Sequence, residues 1–262
     1  MTDTHAHIDG PEFLQDIDTV LQNAKNAGIN RIFIPGINID SIDNILNLCK
    51  KHPGFLYPMI GLHPEDVNPN IINLDNTLDR IHQILQQDSI SDKHFIAVGE
   101  VGIDLYWDQT YKQQQLYAFE KQVQMAVEFD LPLMIHTRNA QPEVVSVIKK
   151  YEGRVRGVFH CFTGSNEEAA QLLQFQNFVL GIGGVATFKK STLPQTLAET
   201  VPLNRIVLET DSPYMALVPM RGKRNEPAFV RYVANTIANI YNTDINTVKS
   251  ITNNNVLQIF GI

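Results

Sequence analysis

Residues 131–136 read LPLMIH, a short and almost continuously apolar run that ends in a histidine. Runs of this kind are typical of parallel strands that are covered on both faces. The same pattern recurs at RIFIPG (31–36) and at RIVLETD (205–211), which ends in an aspartate. Along the whole chain it predicts eight strands: Asp3–Ile8, Arg31–Pro35, Leu56–Leu62, Phe95–Val101, Pro132–His136, Gly157–Cys161, Phe178–Ile182 and Arg205–Glu209.

Segments with helical spacing lie between these runs. Apolar residues repeat at intervals of three and four, as at Leu14, Ile17, Leu21 and Ala24. Asp40 and Asn166 are predicted N-caps of two of these helices. Two further helices, Pro227–Tyr241 and Ile245–Phe260, are predicted after the last strand.

The repeated alternation of strand and helix decides the fold class. It predicts an α/β protein, a (β/α)8 TIM barrel with extra C-terminal helices, in a single domain over residues 1–262. The competing architecture is an open doubly wound sheet. That fold would need a glycine-rich phosphate loop after its first strand, and HAHIDGPEF (5–13) is not one.

The composition limits the kinds of partner that we expect this chain to bind. The net charge of −7 argues against a broad positively charged surface that binds nucleic acid. A small local basic patch is still compatible with this charge. No apolar stretch approaches the roughly 20 residues of a membrane span, and MTDTHAHIDG lacks the features of a signal peptide. The two cysteines, Cys49 and Cys161, fit a reduced compartment. We therefore expect a cytoplasmic protein with no membrane partner.

Metal-capable side chains lie at or near the ends of many predicted strands. They are His5, His7, His63, Glu100, His136, His160 and Asp211. In a barrel the active site lies at the C-terminal face of the strands, so these groups are expected to converge. Taken alone, each histidine can be a buried, hydrogen-bonded residue. If all of them were, however, many polar side chains would be buried at the same end of the barrel, and burying each one costs free energy. Four of the five histidines, His5, His7, His136 and His160, together with the two carboxylates are already too many for one tetrahedral zinc and suit two divalent ions bridged by a carboxylate.

Several motifs together carry a resemblance to a known family. They are DTHAHID (3–9), GLHP (61–64), GEVGID (99–104), HTRNA (136–140), HCFTGS (160–165), LETDSPY (208–214) and RGKRNEP (221–227). This combination resembles the TatD family of metal-dependent deoxyribonucleases, within the amidohydrolase-like TIM-barrel hydrolases. The family often has cysteine between its first two histidines, where this chain has Ala6.

The resemblance implies a role for each matched residue. His5, His7 and Asp211 would ligate one metal, His136 and His160 the second, and Glu100 both. Asp211 would also orient or deprotonate the attacking water, and Glu100 and His63 would complete the catalytic set, with His63 facing substrate rather than metal. The cofactors would be two divalent ions, with Mg²⁺, Mn²⁺ and Zn²⁺ all compatible with the ligands.

Substrate contacts are predicted beside this set. Arginine binds phosphate through two parallel hydrogen bonds, and lysine binds it as a point charge. The candidates for binding phosphate are Arg138, Arg221, Lys223 and Arg224. Tyr106 or Trp107 can stack on a base or simply pack at the barrel rim.

Three functions remain open at this point. The first is a metal-dependent deoxyribonuclease, a 3′–5′ exonuclease acting on DNA ends, preferably single-stranded, with no obligatory protein partner. The second is a D-aminoacyl-tRNA deacylase, or another ester or amide hydrolase, that uses the same metals. The third is a non-catalytic metal-binding barrel, for which a degraded ligand set would be expected.

Overall fold

A computed structural model describes residues 1–91 and 94–262 of the chain. Contacts among these residues group them into two compact units. The first unit comprises Met1–Ile34, Gly54–Leu56 and His160–Ile262, and the second comprises Pro35–Pro53 and Tyr57–Phe159. The single domain over residues 1–262 stays a prediction.

The first unit is built from parallel strands with helical connections. Its elements are β1 (Thr2–Asp3), α1 (Ile17–Asn26), β2 (Arg31–Ile34), α6 (Asn166–Leu172), β7 (Phe178–Ile182), α7 (Leu193–Thr200), β8 (Ile206–Leu208), α8 (Val230–Ile240) and α9 (Ile245–Phe260). β1 pairs with β2, β7 pairs with β8, and one parallel bridge joins Ala6 to Ser212. Parallel pairing needs crossover connections, which α1 and α7 supply.

The second unit follows the same plan. Its elements are α2 (Ile42–Lys51), α3 (Leu74–Ile90), β4 (Val98–Asp104), α4 (Lys112–Glu128), β5 (Leu133–Arg138), α5 (Gln141–Lys149) and β6 (Gly157–Phe159), and the chain enters it within β3 (Leu56–Pro58). β5 pairs in parallel with both β4 and β6, and a parallel bridge joins Ile60 to Val98.

The strands supply much of the apolar core of each unit. Ile32, Phe33 and Val207 are fully buried in the first unit. Met134 and Val158 are fully buried in the second, and every residue of β4 is buried. Continuous burial along a strand explains why these runs are apolar at successive positions rather than alternating.

The bounds of the predicted elements agree with the structure to different degrees. β7 and α9 have the predicted bounds. β1 is shorter than the predicted Asp3–Ile8, since only the bridge at Ala6 continues it beyond Asp3. β4 begins at Val98 rather than Phe95 and continues to Asp104.

Both predicted N-caps are wrong. The side chain of Asn38 accepts a hydrogen bond from the Ser41 N–H and begins a 3-10 helix, Ile39–Ser41, that contains Asp40. Ser165 caps α6 in a capping box with Glu168, one residue before Asn166. A serine followed three residues later by glutamate is the stronger sequence signal for a helix start.

No helix within residues 1–91 and 94–262 combines the length and apolar character that crossing a membrane would require.

Candidate metal centres

Backbone hydrogen bonds bring His5, His7 and Asp211 together in the first unit. The N–H of Asp211 donates to the carbonyl oxygen of His5 (2.9 Å), and the N–H of His7 donates to that of Ser212 (2.8 Å). Side chains two residues apart on an extended chain point to the same side, so both imidazoles approach the Asp211 carboxylate. Asp211 itself has a φ of 57°, a left-handed conformation that aspartate tolerates better than most residues.

These three side chains present ligand atoms at the spacing of a metal site. His5 Nε2 lies 3.1 Å from His7 Nε2, while Asp211 Oδ1 lies 3.9 Å and 3.6 Å from those two nitrogens. Two ligands about 2.1 Å from a tetrahedral ion are about 3.4 Å apart. The donor set and its spacing therefore fit a divalent cation.

The protonation of Asp211 suits cation binding. Burial alone would raise the pKa of this carboxyl group. The hydrogen bond from His7, together with the charges of His160, His5 and His7, outweighs burial and holds the pKa below its usual value. The carboxylate is consequently ionised at neutral pH, as a metal ligand must be.

A buried polar network holds the backbone on which His5 and Asp211 lie. The Asp3 carboxylate accepts hydrogen bonds from the Thr210 N–H (2.9 Å), the Thr210 hydroxyl (2.6 Å) and the His5 N–H (3.4 Å). Burial raises the pKa of Asp3 to about 8 despite these bonds. Asn225 donates to the carbonyl oxygens of Thr210 (2.8 Å) and Tyr214 (2.7 Å), on either side of Asp211. In the sequence, the one signal for Asn225 is its place inside RGKRNEP.

His160 belongs to the same unit and stacks on His5. The ring centroids are 3.9 Å apart and the planes differ by 10°. His160 Nδ1 lies 3.6 Å from Oε1 of the fully buried Glu209. The same oxygen accepts a hydrogen bond from the backbone N–H of Cys161. A buried carboxylate beside one ring nitrogen restrains the orientation of the imidazole.

In the second unit, an irregularity in β4 positions Glu100. The register of β4 against β5 shifts between Gly99 and Val101, so Glu100 is the inserted residue of a β-bulge. Bulges of this kind re-aim a side chain. The backbone N–H of Glu100 donates to the Gly36 carbonyl oxygen (2.8 Å), which fixes the residue on its other side. Glu100 is almost completely buried.

His136 lies between two carboxylates. Its Nδ1 is 2.9 Å from Glu100 Oε1, and its Nε2 is 2.9 Å from Asp104 Oδ2. Gly102 pairs with His136, and any Cβ on Gly102 would overlap the His136 carbonyl oxygen, so glycine is required for this approach. Burial raises the pKa of Asp104, but the hydrogen bonds from His136 and Tyr106 and the charge of His136 leave it lowered overall. Asp104 thus orients His136.

The turn after His63 fixes the tautomer of that residue. Its Nδ1 accepts a hydrogen bond from the Glu65 N–H (3.2 Å) at the start of the 3-10 helix Pro64–Asp66. A backbone N–H can only donate, so in the neutral ring the proton is on Nε2. That nitrogen lies 3.4 Å from Glu100 Oε1. His63 therefore presents a hydrogen-bond donor, whereas a metal ligand would need a lone pair at this position.

The candidate phosphate-binding residues have different surroundings. The Arg138 guanidinium lies 3.8 Å above the Tyr106 ring in the second unit. In the first unit, Arg221 stacks on Phe188 (4.6 Å) and Lys223 is exposed. Arg224 binds both carboxylate oxygens of Asp16 (2.9 and 2.7 Å). A phosphate would have to displace Asp16 from Arg224, whose substrate contact stays a prediction.

Comparison with known proteins identifies the family. The family model described as TatD related DNase matches residues 2–261. The chain belongs to this TatD family. It is 35% identical over 262 residues to an uncharacterized metal-dependent hydrolase, YabD, of Bacillus subtilis (strain 168), covering 99% of this chain and 98% of the relative.

Two further TatD-family comparisons concern activity and fold. A relative from Edwardsiella piscicida named 3′-5′ ssDNA/RNA exonuclease TatD is 29% identical, with all of both chains covered. The crystal structure of YjjV, a TatD homolog from Escherichia coli K12, superposes with a TM-score of 0.91 at 28% identity, covering 100% of this chain and 98% of that one.

These findings confirm the coarse predictions. The chain has the α/β (β/α)8 TIM-barrel fold of the TatD family. It is an enzyme, a metal-dependent hydrolase, so the non-catalytic barrel is excluded. The individual ligand and substrate roles are not tested by these similarities and stay predictions.

Proposed function

We propose that this hydrolase is a deoxyribonuclease that removes nucleotides from the 3′ ends of single-stranded DNA, with two divalent metal ions as cofactors. The ligand spacing of His5, His7 and Asp211 carries the proposal, because it fits a divalent cation without rearrangement. The name of the Edwardsiella piscicida relative supports the reaction and its polarity.

Each unit contributes residues to metal binding. His5, His7 and Asp211 would hold one ion. Glu100 and His136 would hold the second, with Asp104 keeping the ring of His136 in place. The sharing of Glu100 by both ions and the ligation by His160 stay predictions that follow from the family resemblance.

When bound, such ions lower the pKa of water and stabilise negative charge on phosphoryl oxygens. The protein supplies the remaining steps. Asp211 is ionised at neutral pH, so its carboxylate can accept the proton that water loses on attacking phosphorus. The Nε2–H of His63 donates a hydrogen bond to a phosphoryl oxygen, where charge builds up in the transition state.

An end-directed reaction reconciles an acidic chain with an anionic substrate. The net charge of −7 opposes binding along a duplex, whereas a strand end needs only a few local contacts. Arg138, Arg221 and Lys223 are available for such contacts. Cytoplasmic location and independence from a protein partner stay predictions.

The test compares two substrates and two variants. Purified protein with Mg²⁺ or Mn²⁺ should shorten 5′-labelled single-stranded DNA progressively from its 3′ end. Asp211→Asn should abolish shortening, while His82→Ala, which removes a surface histidine paired with Glu128, should retain it. Release of the amino acid from D-aminoacyl-tRNA, with DNA left intact, would reject the nuclease in favour of the deacylase.

A further inference from the structure

The loop after β4 carries an aromatic surface that the proposed chemistry leaves unused. Trp107 is 73% exposed and Tyr106 is 49% exposed. The two rings meet edge to face, with centroids 4.6 Å apart and planes at 85°. Their exposed neighbours Asp108, Gln109 and Thr110 are polar, so the rings do not belong to a broad apolar patch of the kind that binds another protein.

Arg138 completes this surface with a cation. Its guanidinium carbon lies 3.8 Å from the centroid of Tyr106 and 5.3 Å from that of Trp107. Within residues 1–91 and 94–262, the guanidinium makes no hydrogen bond or ion pair with another residue. The contact with the two rings holds the planar guanidinium group of Arg138 in place, and its N–H groups remain available to a ligand.

Local hydrogen bonds hold the loop in one conformation and connect it to the metal-binding residues. Asp104 accepts from the Tyr106 N–H through Oδ1 (2.9 Å) and contacts His136 Nε2 through Oδ2 (2.9 Å). Asp108 accepts from the Thr110 N–H (2.8 Å), and the Gln109 side chain donates to the Leu105 carbonyl oxygen (3.3 Å). The rings are therefore presented by a hydrogen-bonded turn that is connected to His136 through Asp104.

We propose that Tyr106, Trp107 and Arg138 form a stacking platform for an unpaired base of a single-stranded nucleic acid, with Trp107 against the base and Arg138 on the adjacent phosphate. The inference rests on the proposed nuclease function and specifies how that site selects its strand. Base–aromatic stacking is strong and tolerant of sequence. A base inside a duplex cannot offer its face, so the platform favours single strands.

The composition of the chain provides a direct probe. Trp107 is the only tryptophan, so intrinsic tryptophan fluorescence reports on this position alone. Metal-loaded protein is titrated with oligothymidylate made resistant to hydrolysis by phosphorothioate linkages. We expect saturable quenching with this strand. An abasic strand with the same number of phosphates, or a blunt duplex, should give little quenching. Equal quenching by the abasic strand, or none by oligothymidylate, would overturn the platform.

Matched variants separate stacking from general disruption. Binding of fluorescein-labelled oligothymidylate, followed by anisotropy, should weaken roughly tenfold in Trp107→Leu and about twofold or less in Trp107→Phe, which keeps a ring. Tyr117→Leu removes another exposed ring, on α4, and should leave binding unchanged. In the cleavage assay, Trp107→Leu should raise KM with little change in kcat.

The outcome also distinguishes this inference from the proposed function. Quenching by single strands without any DNA shortening would reject the nuclease and keep the platform. Normal shortening with an unchanged KM in Trp107→Leu would reject the platform and keep the nuclease.

Discussion

The His5–His7–Asp211 cluster and the His63–Glu100–His136 cluster contain the same kinds of side chain but differ in how their nitrogens are used. In the first, the Nε2 atoms of both histidines and one carboxylate oxygen lie 3.1–3.9 Å apart, around a point that a cation can occupy. In the second, both nitrogens of His136 contact carboxylates, and His63 Nδ1 already accepts a backbone N–H. Residue type alone therefore does not identify a metal ligand; the partner of the other ring nitrogen does.

The largest effect is expected from removing a ligand of the first cluster. His7→Ala should lower nuclease activity by at least roughly a thousandfold, because the ion that stabilises transition-state charge is no longer held. Elemental analysis of the purified variant should show the loss of about one equivalent of metal. His82→Ala, at a surface histidine, is the matched control. Full metal content in His7→Ala would remove this residue from the ligand set.

His63 should behave differently, with a loss of activity and no loss of metal. His63→Ala removes a donor to the developing charge, so kcat should fall by roughly 100-fold while the metal content stays that of the unmodified protein. His63→Gln retains an N–H donor and should recover part of the activity. A loss of metal in His63→Ala equal to that in His7→Ala would erase the contrast between the two clusters.

Asp104 provides a finer test of the second cluster. Asp104→Asn keeps the size of the side chain but replaces the carboxylate that orients His136, and we expect a 10- to 100-fold loss of metal affinity or activity. Competition with a chelator measures the affinity directly. Asp108→Asn, on the exposed part of the same loop, serves as the control and should bind metal normally.

Sequence reasoning predicts best what depends on local pattern. The continuous apolar runs and the 3.6-residue period predict β7 and α9 with correct bounds. The equivalence of strand ends predicts that His5, His7 and Asp211 meet, although about 200 residues separate them along the chain.

What the sequence does not reveal depends on distant or single contacts. The tautomer of His63 is set by one backbone N–H in the turn that follows, and the bulge at Glu100 is set by its pairing with β5. Asn225 supports the Asp211 segment through two carbonyl oxygens that no local pattern encodes. Likewise, nothing in RGKRNEP predicts that Arg224 binds Asp16, which is 208 residues away.

The smallest expected effect concerns the arginines of the two units, Arg138 on its rings and Arg224 on Asp16. Arg224→Gln should lower Tm by no more than about 3 °C and leave KM unchanged, because it breaks a half-exposed ion pair. The Arg224 hydrogen bond holds the pKa of Asp16 below its usual value, so the pair stabilises the fold above the unfolded pKa of about 3.9 and less as pH falls through the folded pKa. The Tm difference between the variant and the unmodified protein should therefore shrink below about pH 4, as thermal melts at several pH values would show.

Arg138→Gln should give the opposite result, a raised KM with an unchanged Tm. If Arg224→Gln instead raised KM as Arg138→Gln does, then Arg224 would leave Asp16 to bind the substrate phosphate, and the two arginines would share one role.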